Sequence, residues 1–267
     1  MKPETRQSKP VSIQIQNLSK SFGDHLVLQD ISLDIAPQSI TVIMGPSGSG
    51  KSVLLKNIIG LESPSQGTIL INGQDVYAKK DKEDQNPKNA IVSSMVFQAG
   101  ALFNSLSVYE NLAFYPREHR LYTEKQIDDK VKHVLSTLSL SEAADKYPSS
   151  LSGGMKKRVA IARSLMMEPD LLLYDEPTSE LDPIMSAKII EIIAALRQDF
   201  GVTSIVVSHD RDLAYAIGDT IALLVDGKIE ALGTKEEIKQ SKEKIVKHFF
   251  KPTIHLKHPH LQEAAHD

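Results

Sequence analysis

The sequence contains no cysteine, no long apolar run and no large excess of charge of one sign. The lack of cysteine excludes disulfides and thiol chemistry and is compatible with the cytoplasm. A membrane-spanning helix needs roughly 18 or more consecutive apolar residues, and no segment approaches that length. The first ten residues are polar, so no signal peptide is expected. If the protein acts at a membrane, we expect a partner to hold it there.

The charge balance also restricts the class of protein. The formal net charge is −3 and the isoelectric point is about 6.3. This gives no support for a nucleic-acid-binding surface, so no nucleic-acid partner is predicted. The 267 residues are enough for a large core in one α/β domain, with or without a subdomain.

A glycine-rich segment from Gly45 to Ser52 reads GPSGSGKS and fits the phosphate-loop pattern G-x-x-x-x-G-K-[ST]. A β-branched run at 40–44 predicts a strand before it, and a helix is predicted from Val53 onward. The glycines let successive backbone N–H groups face an anion, and the helix dipole adds positive potential there. A flexible turn with a surface lysine would not require this strand, loop and helix order. The segment therefore predicts a nucleoside triphosphate site.

The chemistry of a phosphate loop assigns roles within this segment. We expect Lys51 to reach the β- and γ-phosphates and the Ser52 hydroxyl to bind Mg²⁺. The nucleotide-binding residues predicted here are Gly45, Pro46, Ser47, Gly48, Ser49, Gly50, Lys51, Ser52 and Val53.

A second segment places two carboxylates, Asp175 and Glu176, at the end of an apolar strand. Ligands bind at the carboxyl ends of strands in open parallel sheets. We expect Asp175 to share the Mg²⁺ site with Ser52, and Glu176 to polarise the attacking water. The alternative is a strand followed by an ordinary polar turn, and the phosphate loop elsewhere in the chain argues against it.

A third segment, Ser152-Gly153-Gly154, precedes a helix predicted from Lys156 to Met167. The simplest interpretation of Ser152 is a helix N-cap. Two consecutive glycines exceed what a cap needs, and their N–H groups could bind a second phosphate. One chain cannot easily present both anion sites to one triphosphate, so the pattern suggests a dimer.

Strand patterns occur before and after a block of helical periodicity at about residues 100–165. We therefore predict an α/β fold with a helical subdomain inserted between two β-containing halves. The other predicted elements include two strands at 26–28 and 31–35, a strand at 67–73 closed by an Asn-Gly turn, a polar helix at 141–146, and a hairpin at 220–232 with an Asp-Gly turn.

The motifs, in this order and spacing, resemble the ATP-binding-cassette (ABC) ATPase family from about Ile13 to Ile238. The resemblance implies a P-loop NTPase fold whose mixed β-sheet core carries an antiparallel portion and the helical insertion. It places the ATPase domain at residues 11–240. It also implies hydrolysis of ATP with Mg²⁺ by a homodimer that holds two nucleotides at its interface.

The resemblance also implies roles that the residues alone would not suggest. Phe22 would stack on adenine, and Gln98 would sense Mg²⁺ and the attacking water. Ser152, Gly153 and Gly154 would close over the partner's γ-phosphate, and residues 179–182 match the loop at which two protomers meet. His209 matches a histidine that contacts the γ-phosphate. Outside this context, Phe22 would more often be a core residue and His209 a capping residue. The predicted catalytic residues are thus Glu176, His209 and Gln98, and the predicted metal ligands are Ser52, Gln98 and Asp175.

Residues 97–108 and 110–114, with Met155 and Tyr174, resemble the ATPases of Mla/Mce-type phospholipid transport systems. This closer resemblance implies a permease dimer in the membrane, an Mce-type substrate-binding protein, a small regulatory subunit and a phospholipid cargo. The ATPase would then lie on the inner face of the inner membrane. Residues 115–119 follow the family's Pro-Leu-Arg-Glu pattern only loosely, and Glu180 replaces a usual glycine.

Two other functions are compatible with the motifs. The first keeps the ATPase but changes the cargo to amino acids or another small solute. The second is a soluble ABC protein with a regulatory or translation role. The single cassette argues against the tandem two-cassette kind, and the lack of a coiled-coil insert argues against the DNA-repair kind.

Two segments have two interpretations each. Residues 100–106 include Leu102, Phe103 and Leu106, which either pack in the helical subdomain or, by the resemblance, form a groove for a permease helix. The predicted tail at 241–267 holds five of the nine histidines. A metal site needs a preorganised ligand set, so a partly disordered tail is favoured over a metal site, although its apolar residues suggest docking onto a subunit.

Overall fold

The computed structural model describes residues 8–78 and 91–250 of the chain. In these residues the strands are β1 (Ile13–Phe22), β2 (His25–Ile35), β3 (Ile40–Met44), β4 (Gln66–Ile71), β5 (Gln74–Asp75), β6 (Ser93–Val96), β7 (Leu171–Asp175), β8 (Thr203–Ser208), β9 (Thr220–Val225) and β10 (Lys228–Gly233). The α-helices are α1 (Lys51–Ile58), α2 (Val108–Glu118), α3 (Glu124–Thr137), α4 (Gly153–Leu165), α5 (Pro183–Phe200), α6 (Arg211–Ile217), α7 (Lys235–Gln240) and α8 (Lys244–Phe250).

A six-stranded sheet forms the centre of the fold, in the order β10-β9-β3-β8-β7-β6. The strands from β9 to β6 are parallel, and β10 pairs antiparallel with β9. β3, β7 and β8 are buried along their whole length, because hydrophobic clusters cover both faces of the sheet. This is why their sequences are apolar throughout. The strand predicted at 40–44 is confirmed with those bounds.

The parallel register brings several strand ends to one edge of this sheet. Met44 at the end of β3 lies opposite Ser208 at the end of β8. Asp175 ends β7, the next strand, and β6 lies beyond it. The phosphate loop, the two carboxylates, Gln98 and His209 all follow these ends in the chain. The sheet therefore gathers the predicted site at a single edge.

A four-stranded antiparallel sheet, β2-β1-β4-β5, shares a hydrophobic cluster with α1 and one face of the central sheet. Two-residue turns, Asn72-Gly73 and Asp226-Gly227, join β4 to β5 and β9 to β10. Both residues of each turn have positive φ, at 49° and 77° in the first and 46° and 77° in the second. Asparagine or aspartate followed by glycine tolerates this geometry, so the predicted turns are confirmed.

Two predicted elements are wrong. The strands expected at 26–28 and 31–35 form one continuous strand, β2, which pairs with β1 along both parts. Asp30 has a φ of 51° and donates its N–H to Ser19 Oγ, so the break in apolar alternation marks a bulge and not a strand end. The polar helix expected at 141–146 is a single 3-10 turn, Ser141–Ala143, in which only Ala143 is buried. One small buried side chain gives too little packing to stabilise a longer helix.

The helices α2, α3 and α4 lie between β6 and β7 in the chain, although these strands are neighbours in the sheet. The helical segment is therefore an insertion, as predicted. Its buried side chains, such as Leu112 and Val131, belong to the same hydrophobic cluster as Val42 and Val206 of the sheet. The insertion is thus continuous with the main core. The bounds 100–165 for the subdomain and 11–240 for the whole domain remain predictions.

The last described helix, α8, contacts α6. Val246 and Phe250 are buried, and Arg211 Nη1 donates a hydrogen bond to the Phe250 carbonyl oxygen at 2.8 Å. The ring of Tyr215 lies 5.4 Å from that of Phe250, centroid to centroid. Residues 244–250 of the predicted tail are thus docked on their own domain. Residues 251–267, with four of the five tail histidines, lie outside the described residues.

One buried amide fixes the loop that leads into α2. Asn111 is fully buried, and its Oδ1 accepts the Phe103 N–H at 2.9 Å. Its Nδ2 lies 2.9–3.1 Å from the carbonyl oxygens of Phe103, Leu106 and Ser107. One side chain therefore ties together both ends of the loop that carries Phe103.

We predict that Asn111→Ala lowers the free energy of unfolding by about 1–3 kcal/mol, because it leaves buried backbone groups of this loop without partners. Urea denaturation would measure the change. Asn104→Ala is the matched control, because Asn104 is exposed in the same loop, and it should change stability by less than about 0.5 kcal/mol. Equal losses in the two variants would contradict this role of Asn111.

Candidate nucleotide site

The phosphate loop runs from the end of β3 to the start of α1. At Gly45 a Cβ atom would lie 2.0 Å from the Leu224 carbonyl oxygen, so no larger residue fits. Gly50 has a φ of 100°, and a Cβ there would lie 2.7 Å from Leu28 Cδ2. Gly48 also has a positive φ, of 81°, but faces open space. The loop thus needs glycine for its conformation and for the close approach of β9 and β2.

Helix α1 begins at Lys51, two residues earlier than expected, so Lys51 and Ser52 lie in its first turn. Lys51 Nζ donates to the carbonyl oxygens of Gly45 at 2.8 Å and Pro46 at 2.9 Å. It also lies 3.8 Å from Glu176 Oε1. Burial lowers the pKa of Lys51, and the carboxylates of Glu176 and Asp175 oppose that change. The ammonium therefore sits between the loop and the carboxylates that end β7.

Ser52 and Asp175 meet across the site. Ser52 Oγ donates a hydrogen bond to Asp175 Oδ1 at 2.9 Å. Burial raises the pKa of Asp175, and the hydrogen bond from Ser52 opposes the rise. A hydroxyl and a carboxylate are oxygen ligands of the kind that Mg²⁺ binds. The two side chains thus fit the predicted metal site.

Glu176 is buried and lies between Lys51 and the end of β8. Its Oε2 lies 2.9 Å from His209 Nδ1 and 3.4 Å from both Ser208 Oγ and the His209 backbone nitrogen. Its φ of 48° is in the left-handed region, which is uncommon for a residue other than glycine. The strand end thus turns sharply at this carboxylate, and strain of this kind is typical of functional sites.

A cavity of about 430 Å³ opens at this edge of the sheet. The predicted site residues that line it are Ser47, Gly48, Gly50, Lys51, Ser52, Val53, Gln98, Glu176 and His209. Two further lining residues, His25 and Val27, belong to β2, and sequence reasoning missed them. No motif in the sequence of β2 pointed to a role in binding, although Phe22 on the same hairpin was assigned to adenine.

Phe22 ends β1 opposite His25, and its side chain is 46% exposed. Lys20 Nζ lies 4.7 Å from the centre of the ring. The ring is therefore not a core residue and lies on the hairpin that borders the cavity. Its contact with adenine remains a prediction.

The segment Ser152-Gly153-Gly154 does not line this cavity. Ser152 is the N-cap of α4 and accepts the Met155 N–H at 3.3 Å. A Cβ atom at Gly153 or Gly154 would lie near Leu181 or Met185 of the loop and helix that follow β7. Within one chain the two predicted anion sites are thus apart, which is the arrangement that a composite dimer site would need.

Comparison with known proteins gives the family. The family model described as ABC transporter matches residues 28–179, which is more than half of the chain. This chain belongs to the ABC transporter ATPase family. It is 40% identical to the intermembrane phospholipid transport ATP-binding protein MlaF of Haemophilus influenzae, over 90% of each chain.

This ABC ATPase also resembles relatives that are named for other functions. It is 37% identical to a probable ribonucleotide transport ATP-binding protein, mkl, of Mycobacterium leprae, over 90% of this chain and 68% of that protein. It is 41% identical to a sulfate/thiosulfate import protein, CysA, of Synechocystis, over 85% of this chain and 62% of that protein. Sequence identity to these relatives therefore does not by itself specify the cargo.

Solved structures confirm the fold and the enzyme class. The ATP-binding cassette MJ0796, a dimer in a post-hydrolysis state with ADP and phosphate bound, matches with a TM-score of 0.73 and 30% identity over 83% of this chain and 98% of that chain. A cbiO1 protein from Clostridium perfringens, part of the transporter complex cbiONQ, matches with a TM-score of 0.77 and 30% identity over 91% and 96%. The chain is an ABC ATPase that binds ATP.

We predict that Glu176→Gln keeps ATP binding but lowers the turnover number by roughly 10²–10⁴-fold, because the amide cannot accept a proton from the attacking water. Phosphate release would measure turnover, and size-exclusion chromatography with ATP should show an accumulated dimer. Glu191→Gln, which removes an exposed charge on α5, is the matched control and should behave as wild type. Near-normal phosphate release from Glu176→Gln would overturn the assignment.

Proposed function

We propose that this ABC ATPase powers phospholipid transport as a homodimer bound to a permease dimer on the inner face of the inner membrane. The observation that supports phospholipid as the cargo is the match to the Haemophilus phospholipid transport protein over 90% of both chains. Residues 97–108 and 110–114, with Met155 and Tyr174, resemble the Mla/Mce-type ATPases and support the same assignment. An Mce-type binding protein and a small regulatory subunit belong to this proposal.

The partner in the membrane is part of the proposal for a structural reason. Within residues 8–78 and 91–250, no helix is long and apolar enough to cross a bilayer. Cassettes of this family dimerise and pair with membrane permease subunits. A permease would therefore supply the membrane attachment for the proposed transport.

The proposed site holds ATP and Mg²⁺ at the cavity described above. Ser52, Asp175 and Gln98 would hold Mg²⁺, which when bound neutralises charge on the phosphate oxygens. Lys51 contributes a second positive charge beside the loop N–H groups, which suits the β- and γ-phosphates. The donors needed for a triphosphate thus surround the cavity.

The residues that follow β7 and β8 would orient the water that attacks the γ-phosphate. Glu176 lines the cavity, so its carboxylate can orient a water there and take its proton. His209, whose Nδ1 lies 2.9 Å from Glu176 Oε2, keeps the carboxylate in place and can reach toward the γ-phosphate. Ser152, Gly153 and Gly154 of a second copy would close the site from the other side.

An exposed aromatic pair marks the proposed permease contact. The Phe103 and Phe114 side chains are 43% and 42% exposed, and their ring centroids lie 4.9 Å apart. Arg163 lies 5.5 Å from the Phe103 ring and donates to the Ala101 carbonyl oxygen at 2.7 Å. Phe103 is therefore not a core residue, which removes the core interpretation for this side chain. A fixed aromatic surface suits the apolar face of a partner helix.

We predict that Phe103→Ala releases the ATPase from permease-containing membranes, while the melting temperature changes by less than about 2 °C because the ring is exposed. Sedimentation of membranes followed by immunoblotting would measure attachment. Leu232→Ala is the control, because Leu232 is 49% exposed on β10, outside the helical insertion. Intact membrane attachment of Phe103→Ala would contradict the docking surface.

A second cargo class is favoured by one observation. The sulfate/thiosulfate import protein is as similar in identity as the phospholipid transport protein, at 41% against 40%. A small-solute importer would use the same ATP site and a permease at the same surface. The cargo must therefore be tested with the permease present.

The proposal predicts that phospholipid copurifies with the ATPase–permease complex and that phospholipid stimulates its ATPase rate several-fold. Lipid extraction with mass spectrometry would identify the cargo, and the Glu176→Gln complex is the control that separates bound from transported lipid. Stimulation by sulfate or an amino acid, with no effect of phospholipid, would overturn the phospholipid assignment and leave the ATPase standing.

A further inference from the structure

A buried lysine outside the assigned motifs makes contact with three of them. Lys157 lies on α4 and is only 7% exposed. Its Nζ donates to the Gln98 carbonyl oxygen at 2.6 Å, the Glu176 carbonyl oxygen at 3.1 Å and Ser179 Oγ at 3.1 Å. An ammonium group has three N–H donors, so these contacts use all of them.

Each acceptor belongs to a different part of the hydrolytic site. Gln98 follows β6, Glu176 follows β7, and Ser179 opens the loop at which two protomers are expected to meet. Ser179 Oγ also donates to the Glu176 carbonyl oxygen, at 2.8 Å. The Ser179 backbone N–H donates to it as well, at 3.2 Å, so three hydrogen bonds converge on the carbonyl oxygen of Glu176. A left-handed conformation at a residue other than glycine persists only when its surroundings hold it, and these bonds do so.

Lys157 is held in place by its positive charge as well as by the length of its side chain. Burial lowers the pKa of Lys157, and the nearby carboxylates of Glu180, Glu176 and Asp175 oppose that change. The effect of Glu180 is the largest of the three. A buried cation is stable only with acceptors and opposite charge close by. Glu180, which stands where the family usually has glycine, thus provides part of the negative charge that this lysine needs.

The helix that carries Lys157 is the one capped by Ser152. Lys157 lies five residues after the cap, so one rigid helix begins at the segment proposed to contact the partner's ATP and reaches the chain's own site about one and a half turns later. Two roles for Lys157 are then separable. It could act on its own site through Glu176, or on the partner's site through the start of the helix.

We propose that Lys157 is a positioning residue for ATP hydrolysis, which holds the backbone of Glu176 and Gln98 in the site of its own chain. This inference rests on the proposed role of Glu176 as the residue that orients the water. Loss of the ammonium would let the Glu176 carboxylate move while leaving the phosphate loop intact, and a displacement of about 1 Å can lower a rate by roughly 10²-fold.

Lys157→Met keeps the length and apolar stem of the side chain but removes all three donors. We expect its turnover number to fall by about 10–100-fold, while the KM for ATP stays within about threefold of wild type. With ATP the variant should accumulate as a dimer on size-exclusion chromatography, as expected for Glu176→Gln. Lys157→Arg, which keeps charge and donors, should recover part of the turnover.

Lys156→Met is the matched control, since it makes the same change one residue earlier on α4, and it should hydrolyse ATP within about twofold of wild type. A wild-type rate for Lys157→Met would overturn the proposal. So would a folded variant that no longer dimerises with ATP, because that result assigns Lys157 to the partner's site. If Lys157→Met does not fold, Lys157→Gln decides, because it keeps a polar side chain but removes the charge and shortens the reach to the three acceptors: a folded variant with wild-type KM and lowered turnover supports positioning, and one with unchanged turnover assigns the lysine to stability alone.

The outcomes also separate this inference from the proposed function. An active Glu176→Gln variant would remove the proposed base and with it the basis of the inference. An inactive Glu176→Gln together with a fully active Lys157→Met would overturn only the role of Lys157.

Discussion

The parallel pairing of β3, β8, β7 and β6 is the constraint on which the site depends. Parallel strands in register end at the same edge, so each loop that follows them opens into the same region. The phosphate loop, Glu176, His209 and Gln98 are far apart in the chain but follow adjacent strand ends. Hydrophobic clusters on both faces hold the strands in place, and the rigidity of this core fixes the site.

Buried charge is the second requirement of the site. Glu176, Lys51 and Lys157 are all buried, and an isolated buried ion is strongly disfavoured. Each is stable because it contacts the others or backbone groups: Lys51 with loop carbonyls and Glu176, and Lys157 with three acceptors. The contacts are thus shared, and removing one of these side chains takes a partner away from the groups around it.

The family and several secondary-structure elements could be predicted from the sequence, because the patterns that specify them are short segments of the chain. The phosphate loop, the strand before Asp175 and the Asn72-Gly73 turn depend on residues within a few positions of one another. The error in β2 arose because a local break in the pattern had a long-range cause. The interruption of β2 at Asp30 is a bulge because β1 continues to pair beyond it, and no pattern within β2 shows that pairing.

The sequence by itself determined the chemistry, since glycines, a lysine and carboxylates in this order specify a triphosphate site and its ATPase family. Tertiary structure decided which side chains are exposed and which share a contact. It placed Phe103 at the surface and seated α8 on α6. It also brought Lys157 to Gln98 and Glu176, 59 and 19 residues away in the chain. These contacts come from packing between elements distant in sequence, which residue patterns along the chain do not encode.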